Sequence, residues 1–209
     1  MKIAAFHKHC GDEMHFIKRI EWATEFGLTR LSNYILYNFK DTPEHFYERL
    51  RINIDLNERL GTQIFSFPMK YIPVDNKDRK FVGQNWNSRY LRGIQCILNA
   101  THGIVSPKRK LFEAAFGKNM EDFKRLMIMP DRYIIYREDH KHNGAADWDR
   151  LYDSLSAAQQ EEFHNIVFKN IFEHESKSKY AKINLLLSHY SKHYKTSLQS
   201  STLTVKINP

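Results

Sequence analysis

The groups best suited to ligand chemistry gather between Leu31 and Phe46, where an apolar run gives way to a polar turn. Leu31-Ser32-Asn33-Tyr34-Ile35-Leu36-Tyr37-Asn38-Phe39 is apolar, β-branched and aromatic, and Lys40-Asp41-Thr42-Pro43-Glu44 follows it. Thr42 can cap a helix through its side-chain oxygen, Pro43 suits the first helical position, and Glu44 favours the positive end of the helix dipole. The segment therefore reads as a strand-to-helix switch, the place where parallel α/β folds build ligand sites. Asn33, Asn38, Asp41 and Thr42 supply hydrogen-bonding groups on or beside it.

A second segment, Ser66-Phe67-Pro68-Met69-Lys70-Tyr71-Ile72-Pro73, ends a strand at a proline and implies irregular backbone. Free N–H and C=O groups there can pair with the edges of a ligand. Tyr34, Tyr37, Phe39, Phe65, Phe67 and Tyr71 could stack on a base or an adenine ring. The phenylalanines read as core and sheet packing, which leaves Tyr37 and Tyr71, nearer the strand ends, as the candidates for ligand contact.

Other clusters have simpler readings. His7, His9, Cys10 and His15 suit zinc or another transition metal by residue type, but their spacing matches no metal motif, and they read as a polar loop at a pocket mouth rather than a metal site. Cys96, beside Ile94 and Ile97, reads as a buried core thiol. Lys108-Arg109-Lys110 reads as a solvated helix start rather than a phosphate clamp.

These groups need elements to position them, and residues 1–75 repeat one unit. A short strand over 2–6 leads to a helix capped by Asp12, with Phe16, Ile20 and Ala23 on one face and Gly27 at its end. A strand over 31–39 leads to a helix over 43–60, with Phe46, Leu50 and Ile54 at helical spacing and Gly61 closing it. Residues 63–67 form a third strand that Pro68 stops. Strand starts about thirty residues apart are the mark of βαβ units with a parallel sheet. Residues 71–87 are a polar connector. Helices are then expected over 87–101, 111–116, 120–129 and 157–172, the last with a Ser156/Gln159 capping box. From His174 onward the tail is rich in Ser, Lys and His, and reads as a weakly ordered helix at 183–187 followed by a loose terminus. The expected domains are 1–75, a partial βα barrel; 76–173, a helical extension; and 174–209, a basic tail.

With 209 residues, 42% of them hydrophobic, the chain can bury a core. Its net charge of +8 permits contact with phosphate or nucleic acid without requiring it. Two separated cysteines indicate a reducing, cytoplasmic compartment. No apolar run reaches the length of a membrane span, and Met1 leads into Lys2-Ile3-Ala4-Ala5-Phe6 without a signal-peptide core.

Asn38-Phe39-Lys40-Asp41-Thr42-Pro43-Glu44-His45-Phe46, followed by Ser66 to Pro73, resembles the later half of a radical S-adenosylmethionine (radical SAM) enzyme core. Many members carry a Gly-Leu-Pro-Gly-Glu-Thr-like turn after the fifth barrel strand; Tyr37 to Thr42 corresponds to it with the glycines replaced. Many also carry an irregular, proline-containing sixth strand, matched by Ser66 to Pro73. Residues 82–137, with Asn85-Trp86-Asn87 and Asn99-Ala100-Thr101-His102-Gly103, resemble the helical extension of a bacterial group, some members of which are labelled cobalamin-binding. The resemblance implies that these segments hold the adenosine part of S-adenosylmethionine, with Asn33, Tyr37, Asn38, Asp41, Thr42, Ser66, Lys70 and Tyr71 as cofactor-binding residues. The family's Cys-x-x-x-Cys-x-x-Cys loop, which holds a 4Fe-4S cluster, is absent, and Cys10 and Cys96 cannot replace its thiolates.

The fold expected is α/β: a partial parallel barrel of about three βα units followed by a mainly helical region. The function implied is a fragment or split piece of a radical SAM enzyme, inactive alone, whose partner is a cluster-bearing N-terminal half. The alternative is a free-standing basic module binding RNA or a protein. His7, Asn33, Asn38, Asp41, Thr42, Ser66 and Lys70 are expected to form the mouth of the half-barrel. The open edge of the first strand, with Ile35 and Ile64 on an inner face left to be covered, is expected to promote oligomerisation.

Overall fold

The structure, a computed structural model, describes residues 4–7, 13–75, 80–142, 144–169 and 178–191, the first group by backbone alone. It is mixed α/β and falls into two compact units, residues 1–128 and 129–209. Helices at 88–128 thus belong with the sheet, and residues 178–191 with residues 129–169, whereas boundaries near 75 and 174 were expected.

In the first unit, β1 (Ala4–His7), β2 (Arg30–Tyr37) and β3 (Gln63–Lys70) form a parallel sheet in the order β1-β2-β3. Helix α1 (Glu13–Glu25) connects the first pair and α2 (Pro43–Leu60) the second. Leu31 pairs with Ile64, Asn33 with Ser66, Ile35 with Pro68 and Tyr37 with Lys70. Both helices lie on the side these residues face: Phe16, Ile20 and Ala23 of α1, Leu56 of α2, Leu31 and Ile64 form one buried cluster. Ile35 and Ile64, 0% and 1% exposed, are therefore covered by the chain's own helices, and the expectation that they line an uncovered inner face is corrected. The reason is the period of two along a strand, which puts Ser32, Tyr34, Leu36, Phe65, Phe67 and Met69 on the other face.

Pro68 does not end β3, which continues to Lys70. The N–H groups of Gln63 and Tyr71 donate to Thr29 and Tyr37 carbonyls, so odd-numbered residues of this stretch point at β2. Even-numbered ones point outward, as Ser66 does in exchanging backbone hydrogen bonds with Val105. Pro68 lies in the outward set, where its missing N–H costs no bond to β2.

Helix α2 begins as its sequence dictates. Thr42 caps it, accepting from the His45 N–H at 3.3 Å, while His45 Nδ1 accepts from the Thr42 N–H; Gly61 ends it at φ 66°. Phe46, Leu50 and Ile54 are buried as their spacing predicts. The helix is covered on a further side by α4 (Arg109–Phe116) and α5 (Met120–Ile128): Tyr47 stacks on Phe123 at 4.9 Å and donates to the Gly117 carbonyl at 3.0 Å. Arg109 binds Asp55 and Glu58 of α2, so it is an anchor between helices rather than a solvated start. Helix α3 (Ser88–Ala100), capped by Asn87, packs closely on α5 at Gly93, where a Cβ would come within 2.9 Å of Met127 backbone.

The second unit holds α6 (Asp131–Ile135), α7 (Arg137–His140), α8 (Gly144–Asp153), α9 (Ala157–Phe168) and α10 (Ala181–Ser188). The Ser156/Gln159 capping box is present. Helices α6 to α8 were not expected from the sequence. Nor is α10 weakly held: Ile183 and Leu186 are fully buried, and buried His189 just after it bonds the Tyr133 hydroxyl at 2.8 Å. The tail beyond 191 lies outside the described residues. Among the described residues no helix is long and apolar enough to cross a membrane.

Burial, with the Arg132 guanidinium alongside, pushes His189 down to about 4, and burial also lowers His164. The unfolded chain takes up protons at both near pH ~6.5, whereas the folded unit resists them. Their contribution is therefore complete above the unfolded value and lost as pH falls toward the folded ones. Thermal melts should show the midpoint falling from about pH 7 to about pH 4.5, with a shallower fall in His189→Gln. Parallel pH dependence in the two proteins would contradict this assignment.

Candidate functional site at the strand ends

At the end of β2 the chain turns through Asn38, whose φ of 68° lies in the left-handed region that glycine favours and asparagine tolerates. Its amide is fully engaged. Nδ2 donates to the Tyr71 and Phe81 carbonyls at 3.0 and 3.1 Å, and Oδ1 accepts from the Gly83 N–H at 2.7 Å. One buried side chain therefore ties together the ends of β2 and β3 and the segment that follows. Gly83 is required at this junction, since a Cβ there would lie 2.6 Å from the Phe39 carbonyl oxygen.

Asp41 is the second knot. Its Oδ1 accepts from the Phe39 N–H at 2.9 Å, and its Oδ2 from Arg49 Nη2 at 2.6 Å. The same Nη2 donates to the Leu36 carbonyl at 2.7 Å, and Trp86 Nε1 donates to the Asp41 carbonyl at 2.9 Å. Arg49 is 1% exposed, and Trp86 packs on Tyr37 and Phe46 at 5.6 and 6.3 Å between centroids.

Arg49, Asn53 and Asn57 form a buried polar stripe along α2 at intervals of four residues. Asn53 donates to Asn33 Oδ1 and Ser66 Oγ at 3.3 and 2.7 Å. Asn57 accepts from the Ile64 N–H at 2.7 Å and donates to the Pro107 carbonyl at 3.2 Å. Arg49 Nε and Nη1, Asn33 Nδ2 and Asn53 Oδ1 find no partner among the described residues, so this seam is only partly satisfied. Sequence reasoning missed Arg49, Asn53, Asn57 and Trp86. The available signal was two asparagines on one face of a helix interior, where they are poor formers unless something pairs them.

The expected mouth is thus divided. Asn38, Asp41 and Thr42 lie at the end of the sheet, but as its fastening: a latch, an ion-paired carboxylate and a helix cap. Lys70 closes β3 at the same end, and Tyr71 packs its ring between Phe39 and Phe81. Asn33 and Ser66 are corrected: they lie in mid-strand beneath α2, 1% exposed, held there by Asn53. Tyr37 is corrected too, because it is 3% exposed between Phe46 and Trp86, and burial pushes its hydroxyl up to about 12. Tyr71 is half-buried, and so is Phe67, which lies beside exposed Tyr34 at 5.8 Å on the sheet face turned away from α1 and α2. Tyr34 and Met69 there are 38% and 44% exposed.

Of the metal candidates, His9, Cys10 and the His7 side chain lie outside the described residues, and His15 is exposed on α1. No group of three or more His, Cys, Asp or Glu that could hold a metal occurs among the described residues. Cys96 is fully buried in α3. Beside the outer edge of β3, a cavity of about 240 Å³ is lined by Thr101, Ile104, Val105, Ser106, Leu111, Phe112, Ala115 and Phe116. It admits an apolar group but has no titratable lining, so it offers no acid, base or nucleophile beyond hydroxyls. Comparison with protein-family profiles, curated proteins and solved structures gives no match.

Proposed function

We propose that this chain is the adenosine-holding half of a radical SAM-type barrel and acts with a second, cluster-bearing polypeptide. The observation that carries the reading is the two-faced parallel sheet: helices cover one face, while Tyr34 and Phe67 lie exposed or half-exposed on the other. In a parallel barrel the helix-free face is the interior; Tyr34 and Phe67 lie on it at mid-strand, with Lys70 and Tyr71 beyond them at the C-terminal end, where such barrels bind ligands. Two further features support it. The turn after β2 passes through a left-handed residue, Asn38, and the backbone leaving β3 at Tyr71 is fastened to that turn, as are Phe81 and Gly83. A partial (β/α) barrel of about three units describes the sheet portion on this reading.

S-adenosylmethionine fits this face through its adenine ring, which Tyr34 and Phe67 can stack, and through backbone groups near Lys70 and Tyr71. In the complete enzyme the cofactor supplies radical chemistry; the contribution of this chain is to bind and orient the adenosine and to exclude water. A 4Fe-4S cluster does not fit. Three thiolates are needed, and of the two cysteines Cys96 is sealed in a helix core. The cluster must come from the partner.

Saturation-transfer NMR on the full chain with S-adenosylmethionine tests the reading. Transfer to the adenine protons is expected, and Tyr34→Ala or Phe67→Ala should weaken binding by about tenfold, the loss of one stacking contact. Asn33→Asp, beneath α2, should alter stability without adding or removing a cofactor contact. Absence of transfer would remove the reading. Salt-sensitive retention on RNA without cofactor binding would favour the basic binding module.

A further inference from the structure

Helix α1 has a second flank, carrying two large aromatic side chains, that is left exposed among the described residues. Phe16, Ile20 and Ala23 face the sheet, Ile17 packs against the same buried cluster as Ile52 and Leu60 of α2, and Glu21 binds Arg59 at 2.7 Å. At about 100° per residue, the flank turned away from α2 carries His15, Arg19, Trp22 and Phe26. Phe26 follows the last helical residue, but its N–H still bonds the Trp22 carbonyl at 3.1 Å and keeps the helical path. Trp22 is 59% exposed and Phe26 83%, and His15 and Arg19 are exposed beside them. The spacing of four, three and four residues is that of a helix–helix seam.

We propose that this flank is a self-association surface, on which α1 of a second copy of the chain packs antiparallel. Charge decides both the occupant and its direction. Lys18 and Arg19 lie in the first half of the exposed surface, and Glu25 near its end. Parallel packing would set Arg19 against the partner's Arg19. Antiparallel packing centred between Arg19 and Trp22 sets each Arg19 guanidinium on the partner's Trp22, a cation–π contact. It also sets each Phe26 against the partner's His15 and each Glu25 near the partner's Lys18. Two-fold symmetry makes every contact twice. Among the described residues β1, which precedes α1, has β2 as its one neighbour, so no other described strand pairs with it on this side. This inference stands apart from the cofactor reading, since the flank is not part of the sheet face on which Tyr34 and Phe67 lie.

Sedimentation velocity on the full chain, from low to high micromolar concentration, tests it. A reversible dimer is expected, and Trp22→Glu or Phe26→Glu should weaken it more than tenfold with unchanged circular dichroism. Trp86 and Trp148 are buried, so a concentration-dependent blue shift of tryptophan emission would report Trp22. Lys18→Glu and Glu25→Lys should each weaken the dimer, and the double variant should restore it, which folding defects cannot imitate. A chain that stays monomeric throughout would overturn the proposal. So would glutamate variants that associate as the natural chain does, whatever the size of the assembly. Cofactor binding by a monomeric chain would sink this inference and leave the proposed function intact.

Discussion

Asp41→Ala is expected to cost about 3–5 kcal/mol, the penalty for leaving a buried cation without its partner. The Arg49 guanidinium is 1% exposed, and among the described residues Asp41 Oδ2 is its one carboxylate contact, at 2.6 Å. The remaining bond to the Leu36 carbonyl neutralises nothing. The same substitution releases the Phe39 N–H from Oδ1, so the strand-end turn loosens as well. Removing both charges, as in Asp41→Leu with Arg49→Met, should cost much less than Asp41→Ala alone, because well-packed apolar groups can replace a buried pair nearly neutrally. Urea unfolding of the three proteins measures this. A double variant at least as unstable as the single one would show that the ion pair itself, rather than avoidance of an unpaired charge, holds the junction.

The second large effect is expected at Asn38. Asn38→Ala removes three hydrogen bonds worth about 0.5–1.5 kcal/mol each and places a Cβ residue lacking a compensating polar group at positive φ, a total of about 3–4 kcal/mol. Asn38→Gly loses the same bonds without the backbone strain and should be milder by about 1 kcal/mol. Equal destabilisation by alanine and glycine would show that the turn does not hold its left-handed conformation. Either variant frees the Tyr71 and Phe81 carbonyls and the Gly83 N–H. Stability should therefore fall together with order in the segment after β3. The amide signals of Tyr71 and Gly83 would report this by faster hydrogen exchange.

Asn38 and Asp41 show how far the candidate site was legible. Their residue types marked the strand end as a place of polar contacts, and the structure puts them there. The latch of Asn38 engages Tyr71, Phe81 and Gly83, between 33 and 45 residues along the chain, and Asp41 pairs with Arg49, eight residues on, while Trp86 bonds its carbonyl from 45 residues away. Asn33 and Ser66 looked equally suitable, yet they turn under α2. Alternation along β2 separates two sets, Leu31, Asn33, Ile35 and Tyr37 from Ser32, Tyr34 and Leu36. Both contain apolar and aromatic residues, so the pattern alone does not say which set the helices cover.

What the sequence determined by itself is everything whose partners lie within about four residues. Thr42 and Pro43 start α2, Gly61 stops it, Asn87 and Ser156 cap their helices, and the period of Phe46, Leu50 and Ile54 fixes an apolar stripe. Tertiary structure decided the rest, because burial depends on what arrives from elsewhere. Arg49 can be buried only where Asp41 meets it. Pro68 can lie within a strand only because its position points away from β2. The island Ile183 to Leu187 becomes a firm helix only through burial in the second unit, as α10 packs on α8 and Tyr190 reaches Phe163. A short helix gains little from its own residues in water, so its stability is settled by the surface it covers.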